Sequence, residues 1–140
     1  MFEKFEERKI IEAIKEAERQ TSGEIRVHIA SEKAMGDVEE RALKTFDKLE
    51  MEKTQDRNGV LFYIDYQNHQ FAIFGDEGIH KAVGQQFWED TEKLMEGCFK
   101  RGDLVQGLVA GITLAGEKLK THFPYQSNDT NELPDEISYS

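Results

Sequence analysis

The hydrophobic and polar positions of this chain repeat with two different periods near its start. Ile10, Ile14 and Ala17 recur at helical spacing among Glu, Lys and Arg residues, which predicts an amphipathic helix over residues 2–20. From residue 24 to residue 30 polar and apolar side chains alternate singly, a pattern typical of a strand buried on one face. The chain is therefore predicted to begin with a helix followed by a strand.

The next segments predict a helix and then a hairpin. An apolar stripe indicates a second helix from residue 36 to about residue 53; its members are Val38, Ala42, Phe46 and Leu49. Residues 60–64 are apolar throughout, which indicates a strand covered on both faces. A polar turn separates this strand from residues 70–74, so these two strands are predicted to pair antiparallel.

Helical spacing returns after residue 78. An apolar series predicts a long third helix; its members are Ile79, Val83, Phe87, Leu94 and Cys98. Gly102-Asp103 opens a fourth helix, whose interior glycines, Gly107 and Gly111, predict close approach of another backbone. After residue 123 the composition becomes polar and acidic. We therefore predict one domain over residues 1–123 and an acidic C-terminal tail over 124–140, extended or mobile.

The order of these elements specifies the fold class. A strand, helix and strand in succession form a right-handed crossover, which makes the first two strands parallel. The hairpin then places the third strand antiparallel to the second. The sequence therefore predicts an α/β protein, a three-layer α/β/α sandwich around a small central mixed β-sheet.

Charge narrows the range of partners. The 140 residues include 18 Lys and Arg against 28 Asp and Glu, a formal net charge of −10. Nucleic acids and anionic membranes are bound by clustered basic residues, so this balance argues against both. The first residues are charged throughout, and no run approaches the roughly 18 apolar residues of a membrane span. We expect a cytoplasmic protein with no nucleic-acid partner and no membrane insertion.

The predicted topology brings several acidic residues to one rim of the sheet. Parallel strands one and two begin at this rim and strand three ends there; the polar residues so placed are Glu24, Asp56, Asn58, Asp76 and Glu77. The turn before the fourth helix is hypothesised to add Asp103. Carboxylates gathered from separate loops repel one another unless a positive charge intervenes. We therefore hypothesise a Ca²⁺ or Mg²⁺ site at this rim.

Simpler roles compete for the same residues. Asp76 and Asp103 each stand where a helix N-cap is expected, and a cap can also be a metal ligand. Glu24 can be an exposed charge at the start of a strand. Arg57 and Arg101 flank the rim, where they can pair with carboxylates or contact a phosphate.

No catalytic motif accompanies these acids. Cys98 is the single cysteine, and the residue six positions later is Leu104, so the Cys-x5-Arg phosphatase loop is absent. The sequence also lacks a Walker loop, a GxSxG elbow and an EF-hand ligand string. The catalytic residues, if the protein is an enzyme, are therefore unknown at this stage.

Four short motifs nevertheless suggest a family. They are TSGEI at residues 21–25, RNGVL at 57–61, FGDEGI at 74–79 and FKRGD at 99–103. In this order and spacing, over about residues 5–120, the chain resembles the TPM-domain family. Its members include a plant thylakoid-lumen protein associated with photosystem II repair and a nematode protein associated with acetylcholine-receptor modulation.

The resemblance implies an α/β/α sandwich and acidic divalent-cation binding, and for the plant lumenal branch an acid phosphatase activity. Carried onto this chain, the metal site would involve Asp76 and Asp103, with Glu77, Asp56 and Glu24 as further candidate ligands. Two functions follow as hypotheses. The first is a non-enzymatic, cation-responsive module that binds a protein partner. The alternative is a metal-dependent acid phosphatase acting on phosphomonoesters.

Overall fold

The computed structural model describes residues 2–31, 36–126 and 133–140, without the side chain of Gln85. Within these ranges the chain forms helices and strands in the order α1 (Lys4–Glu18), β1 (Glu24–Ala30), α2 (Val38–Lys48), β2 (Gly59–Asp65), β3 (Gln70–Gly75), α3 (Glu77–Val83), α4 (Glu89–Lys100), α5 (Leu104–His122) and β4 (Ser138–Tyr139). A short 3-10 helix, Gln85–Trp88, lies between α3 and α4. The predicted α/β fold class is confirmed. No helix in the described ranges combines the length and the apolar character that crossing a membrane requires.

The strands form one mixed sheet in the order β3-β2-β1-β4. β1 and β2 are parallel, with Glu24 opposite Gly59 at one end and Ala30 opposite Asp65 at the other. β2 and β3 are antiparallel, as the hairpin pattern predicts. β4 pairs in parallel with the free edge of β1 and was not predicted, because its two residues give no alternating pattern.

The predicted third helix is wrong in its continuity. It is interrupted after Val83, where Gly84 has φ of 75°. This left-handed conformation ends a helix and costs glycine little, because glycine has no Cβ. The chain then continues as the 3-10 helix and restarts as α4 at Glu89. The apolar spacing of the series remained helical across the break, which is why periodicity alone did not show it.

The contacts divide the chain into two compact units, each built from two stretches of sequence. The helical unit comprises Met1–Gly23 and Val83–Thr130, and the sheet unit comprises Glu24–Ala82 and Asn131–Ser140. The predicted boundary at residue 123 stays a prediction. The predicted tail includes residues 127–132, which lie outside the described residues.

In the helical unit, α5 packs against both α1 and α4. Small residues make these contacts close. A Cβ at Gly107 would lie 2.5 Å from a ring carbon of Phe99, and a Cβ at Gly116 would lie 2.7 Å from the Cβ of Ala17. The predicted approach of another backbone is wrong at Gly107, where the close neighbours are the side chains of Phe99 and Cys98.

The sheet unit has its own apolar core between α2 and one face of the sheet. Buried residues of α2, the strands and the C-terminal segment meet in it; they are Ala30, Ala42, Phe46, Met51, Leu61, Tyr63, Ala72 and Leu133. Phe46 and Phe74 pack edge to face, with ring centroids 4.8 Å apart. This cluster fixes α2 against β2 and β3.

β1 is covered more completely than its alternating pattern predicts. Its apolar side chains are buried as expected, but Glu24 and His28 on the other face are buried too. The prediction of a strand with one exposed face is therefore wrong, and so is the exposed role considered for Glu24. The polar face lies beside Leu61 and Tyr63 of β2, on the side of the sheet that α2 and Leu133 cover.

Candidate functional site

The rim of the sheet at the start of α3 is organised around Arg57 and Asp76. The guanidinium of Arg57 donates two hydrogen bonds to the Asp76 carboxylate, from Nε to Oδ2 at 2.7 Å and from Nη2 to Oδ1 at 2.9 Å. The side chain of Asp76 is buried, whereas that of Arg57 is 40% exposed. The hydrogen bonds from Arg57 to Asp76 raise the pKa of the guanidinium. The pair therefore joins a buried carboxylate to a cation that solvent can reach.

A backbone turn holds Arg57 in this position. Arg57 has φ of 49°, in the left-handed region that non-glycine residues seldom adopt. Its carbonyl oxygen accepts a hydrogen bond of 2.9 Å from the N–H of Gly78, and the N–H of Asp76 donates to the carbonyl of Gly59. The turn and the start of α3 are thus tied together by backbone as well as side-chain hydrogen bonds.

Gly78 makes this approach possible. A Cβ at this position would lie 2.3 Å from the carbonyl oxygen of Asp56 and 2.6 Å from that of Arg57. No side chain tolerates such distances to backbone atoms. The two motifs RNGVL and FGDEGI therefore contain residues that contact each other. Gly78, in the second motif, is required because a side chain there would clash with the backbone before RNGVL and at its first residue.

Glu77 adds a second carboxylate to the same cation. Its Oε1 lies 3.3 Å from Nη1 of Arg57, and its side chain is more than half exposed. The N–H of Glu77 donates to Oδ1 of Asp76 at 2.7 Å. The backbone carbonyl of Asp76 also accepts from the N–H groups of Ile79 and His80, so Asp76 occupies the N-cap position of α3. The expected cap role of Asp76 is present together with its ion pair.

Of the remaining predicted ligands, Asp56 and Glu24 lie at the same rim, Asp56 beside Gly78 and Glu24 opposite Gly59. Asp56 is exposed in the turn next to Arg57. Glu24 is buried at the start of β1, where its N–H donates to the carbonyl of Asn58. Asp103 belongs to the helical unit, where its carboxylate accepts a 3.1 Å hydrogen bond from the N–H of Gln106 and caps α5. Arg101, predicted to flank the rim, also lies in the helical unit, and its Nη2 contacts Sγ of Cys98.

The fit of this rim to a divalent cation can be judged from its donors. The carboxylates of Asp76, Glu77 and Asp56 are oxygen ligands of the kind that Ca²⁺ and Mg²⁺ prefer. Both oxygens of Asp76, however, are bound by Arg57. In ranges 2–31, 36–126 and 133–140 no group of three or more His, Cys, Asp or Glu residues is placed to hold a metal ion. The oxygen ligands are of a kind that binds a hard cation. In the structure, however, the two oxygens of Asp76 are positioned to accept hydrogen bonds from the Arg57 guanidinium.

A second ion pair, whose two side chains are both buried, lies at the other end of β1 and β2 and was not predicted. Nη1 of Arg41 lies 2.6 Å from Oδ2 of Asp65, and Nη2 donates to the side-chain oxygen of Gln70 at 2.9 Å. Asn68 donates to Asp65 from its backbone and its side chain. Burial raises the pKa of Asp65, but the bonds from Asn68 and Arg41 outweigh that effect and lower it. A signal was available in Arg41, a charged residue one position before Ala42 of the apolar stripe.

Comparisons with known proteins complete the description. The family model described as TPM domain matches residues 1–118. Among solved structures, the chain is similar to the NMR structure of the BA42 protein from the psychrophilic bacterium Bizionia argentinensis. The two sequences are 41% identical, the match covers 100% of this chain and 96% of the other, and the TM-score is 0.94. A comparison with curated proteins gives no match.

Proposed function

Because the chain belongs to the TPM-domain family, we propose that it is a divalent-cation-responsive binding module that acts on a protein partner. One observation carries the proposal: two carboxylates, those of Asp76 and Glu77, share a single guanidinium that is 40% exposed. Carboxylates that need a cation can exchange one cation for another. The rim is therefore suited to respond to the cation supply.

The residues that would hold Ca²⁺ or Mg²⁺ are Asp76 and Glu77, with Asp56 in the neighbouring turn, next to Arg57 in sequence. When bound, the cation would supply positive charge to these carboxylates. Arg57 supplies that charge in the structure described here, so it is a built-in competitor. We expect modest cation affinity for this reason, and a turn at residues 54–59 whose position depends on which cation is held.

The test compares cation binding in the wild-type chain and three variants. Ca²⁺ and Mg²⁺ are titrated separately while backbone amide shifts and the melting temperature are followed. Arg57→Gln removes the competitor and is expected to lower the half-saturating cation concentration at least threefold. Asp76→Asn is expected to abolish the response. Arg19→Gln removes the same charge from the exposed Arg19–Glu16 pair of α1 and should behave as wild type.

The melting temperature gives an independent measure. A ligand that binds only the folded state stabilises it by RT ln(1 + [L]/Kd), which is about 2.7 kcal/mol at a hundredfold excess over Kd. An absent response in the wild-type chain and in Arg57→Gln would contradict the proposal. So would a response that Asp76→Asn leaves unchanged.

A metal-dependent phosphatase is the second candidate, and the exposed part of Arg57 favours it, since guanidinium groups bind phosphate oxygens well. The same preparations are assayed for cation-dependent turnover of a small phosphomonoester from acidic to neutral pH. The binding module predicts no turnover. Turnover that disappears in Asp76→Asn would instead assign the rim to catalysis.

A further inference from the structure

The C-terminal arm, residues 133–140, lies along the edge of β1 in the sheet unit. Its strand β4 pairs with β1 in parallel, with Ser138 opposite His28. The ladder continues past β4, since the N–H of Ser140 donates to the carbonyl of Ile29 at 3.1 Å. The arm is therefore an added strand, held in the way that sheet edges hold extended peptides from other proteins.

His28 contacts two hydroxyl groups of the arm through its two ring nitrogens. Its Nδ1 lies 2.7 Å from Oγ of Ser138 and its Nε2 lies 2.9 Å from Oγ of Ser140. The ring is buried and stacks on Tyr63, with centroids 5.6 Å apart and planes 12° apart. A neutral imidazole has one donor and one acceptor nitrogen, and a hydroxyl group can form a hydrogen bond with either, because it both donates and accepts. This side chain therefore selects residues with hydroxyl groups at alternate positions of an extended segment.

Two apolar side chains anchor the arm upstream of these contacts. Leu133 is buried in the core of the sheet unit, in the same cluster as Met51. Its Cδ1 would lie 3.7 Å from a Cβ built on Gly59. Ile137, four residues later, is also buried. The edge of β1 together with these two apolar positions forms a groove, here called the arm groove.

Charge on the groove complements an acidic segment. Arg26 lies on the same face of β1 as His28, with Glu24 at the start of the strand, and Lys48 is close enough to His28 to affect its protonation. Burial lowers the pKa of Arg26, and the nearby carboxylate of Glu136 opposes that shift. The arm contributes acidic residues to this basic part of the groove.

The arm nevertheless leaves two buried polar atoms at the groove without hydrogen-bond partners among the described residues. Within the described part of the chain, Nε of Arg26 is buried with no hydrogen-bond acceptor, and Oδ1 of Asp135 is buried with no donor. A buried polar atom without a partner destabilises the state that contains it. The resident arm is therefore a ligand that another segment with a better-placed acceptor can displace.

We propose that the arm groove is a peptide-binding site for an extended acidic segment of a partner protein, which adds in parallel to β1 and displaces the arm. The segment has two apolar residues four positions apart, acidic residues between them, and hydroxyl residues after the second. The proposal rests on the binding role proposed above and names the chemistry of the partner.

The test uses the full chain and a fluorescent peptide of the arm sequence, LPDEISYS. In the wild-type chain the arm competes from within the molecule, at an effective concentration in the millimolar range for short connections. The variant Leu133→Asp with Ile137→Asp loses both anchors, so its groove is expected to bind the peptide at least tenfold more tightly than wild type. Ser140→Pro, which removes the N–H that donates to Ile29 and the hydroxyl beside His28 but keeps both apolar anchors, is a milder second variant in case the first unfolds.

Four controls assign the binding to the groove. A peptide with Asp in place of the residue equivalent to Ile137 should not bind. A peptide with Asn and Gln at the two acidic positions should bind at least threefold more weakly, and Arg26→Gln should weaken the native peptide similarly. The ring signals of His28 should shift in the released variant and return when the peptide is added.

The outcomes separate this proposal from the cation response. Peptide affinity is measured with Mg²⁺ and with a chelator, and loss of the cation response alone leaves the groove proposal standing. Folded variants that fail to bind the peptide would overturn it. A dimer of the wild-type chain that forms with rising concentration and dissolves on adding peptide would assign the groove to the arm of a second copy, and would overturn the role of a different partner.

Discussion

Arg41 and Asp65 form an ion pair that is buried at both ends. Their side chains are 7% and 0% exposed, and Nη1 of Arg41 lies 2.6 Å from Oδ2 of Asp65. The guanidinium also lies over the ring of Tyr63, 5.8 Å from its centroid. The hydrogen bond to Asp65 raises the pKa of Arg41 despite burial. This pair therefore ties α2 to the ends of β2 and β3 by charge, hydrogen bonds and ring contact together.

Removing one partner of this pair should be costly. Arg41→Met keeps much of the side-chain volume but leaves the Asp65 carboxylate buried without its cation, so we expect the free energy of unfolding to fall by about 3 kcal/mol. Urea unfolding measures it. Adding Asp65→Asn to Arg41→Met should recover part of the loss, because the uncompensated charge is gone. A single variant as stable as wild type would show that the pair contributes little.

Gly78→Ala should weaken the rim by a steric route. Its Cβ would lie 2.3 Å from the carbonyl oxygen of Asp56, so the turn and α3 must separate. We expect the melting temperature to fall, and the Arg57 side chain to leave Asp76. Gly97→Ala in α4 is the matched control, since its Cβ meets nothing closer than 3.7 Å. That change should stabilise the chain by up to about 1 kcal/mol; equal effects of the two substitutions would contradict the close approach.

The stability of the sheet unit should depend on pH through His28. Burial, with Arg26 and Lys48 nearby, lowers the pKa of His28 from 6.5 to about 4. Between these values the unfolded chain binds a proton that the folded chain does not, so stability rises with pH. The stabilisation that comes from keeping His28 neutral in the folded chain is complete above about pH 6.5 and is lost as the pH falls towards 4.

His28→Gln tests this dependence, because glutamine keeps a donor and an acceptor but does not titrate. Between pH 7 and pH 4 the wild-type chain should lose on the order of 2–3 kcal/mol more than the variant. Urea unfolding at several pH values gives the difference, in which the carboxylates common to both proteins cancel. Parallel pH profiles would show that His28 titrates normally.

Asp103 should act on stability as a helix cap. Asp103→Ala removes the acceptor of the Gln106 N–H at the start of α5, which typically costs about 1 kcal/mol. Asp103→Ser restores an acceptor and should recover most of the loss. Recording the cation titration with the same variants tests the predicted ligand role, since a cation response lost in Asp103→Ala and in Asp103→Ser would require more than a cap.

Periodicity predicted the elements that pack by apolar side chains. β1 begins and ends where its alternating pattern does, and β2 and β3 extend the predicted strands by one or two residues. The break at Gly84 and the short strand β4 were missed, because one depends on a backbone angle and the other on pairing with a distant strand. Neither property leaves a repeating pattern in the sequence.

The candidate site was predicted in part. The topology correctly brought Asp76 and Glu77 into the neighbourhood of Arg57, since strand order fixes which loops share a rim. It did not show that Arg57 would bind both oxygens of Asp76, because that depends on a left-handed residue and on the space left by Gly78. The sequence does not distinguish the buried Arg41 from arginines on the surface, because the burial of a charged side chain depends on the partner that the fold places beside it.

The pairing of β4 with β1 also has a consequence for folding. Ser138 and His28 are 110 residues apart in sequence, so their contact closes a very long loop and is favoured only after the intervening elements have formed. We therefore expect the β1 edge to be filled late in folding. Until then β1 presents unpaired N–H and C=O groups, which invite pairing between chains. By pairing with β1, the arm covers an edge at which strands of other chains would otherwise add to the sheet, and so protects the folded chain against aggregation.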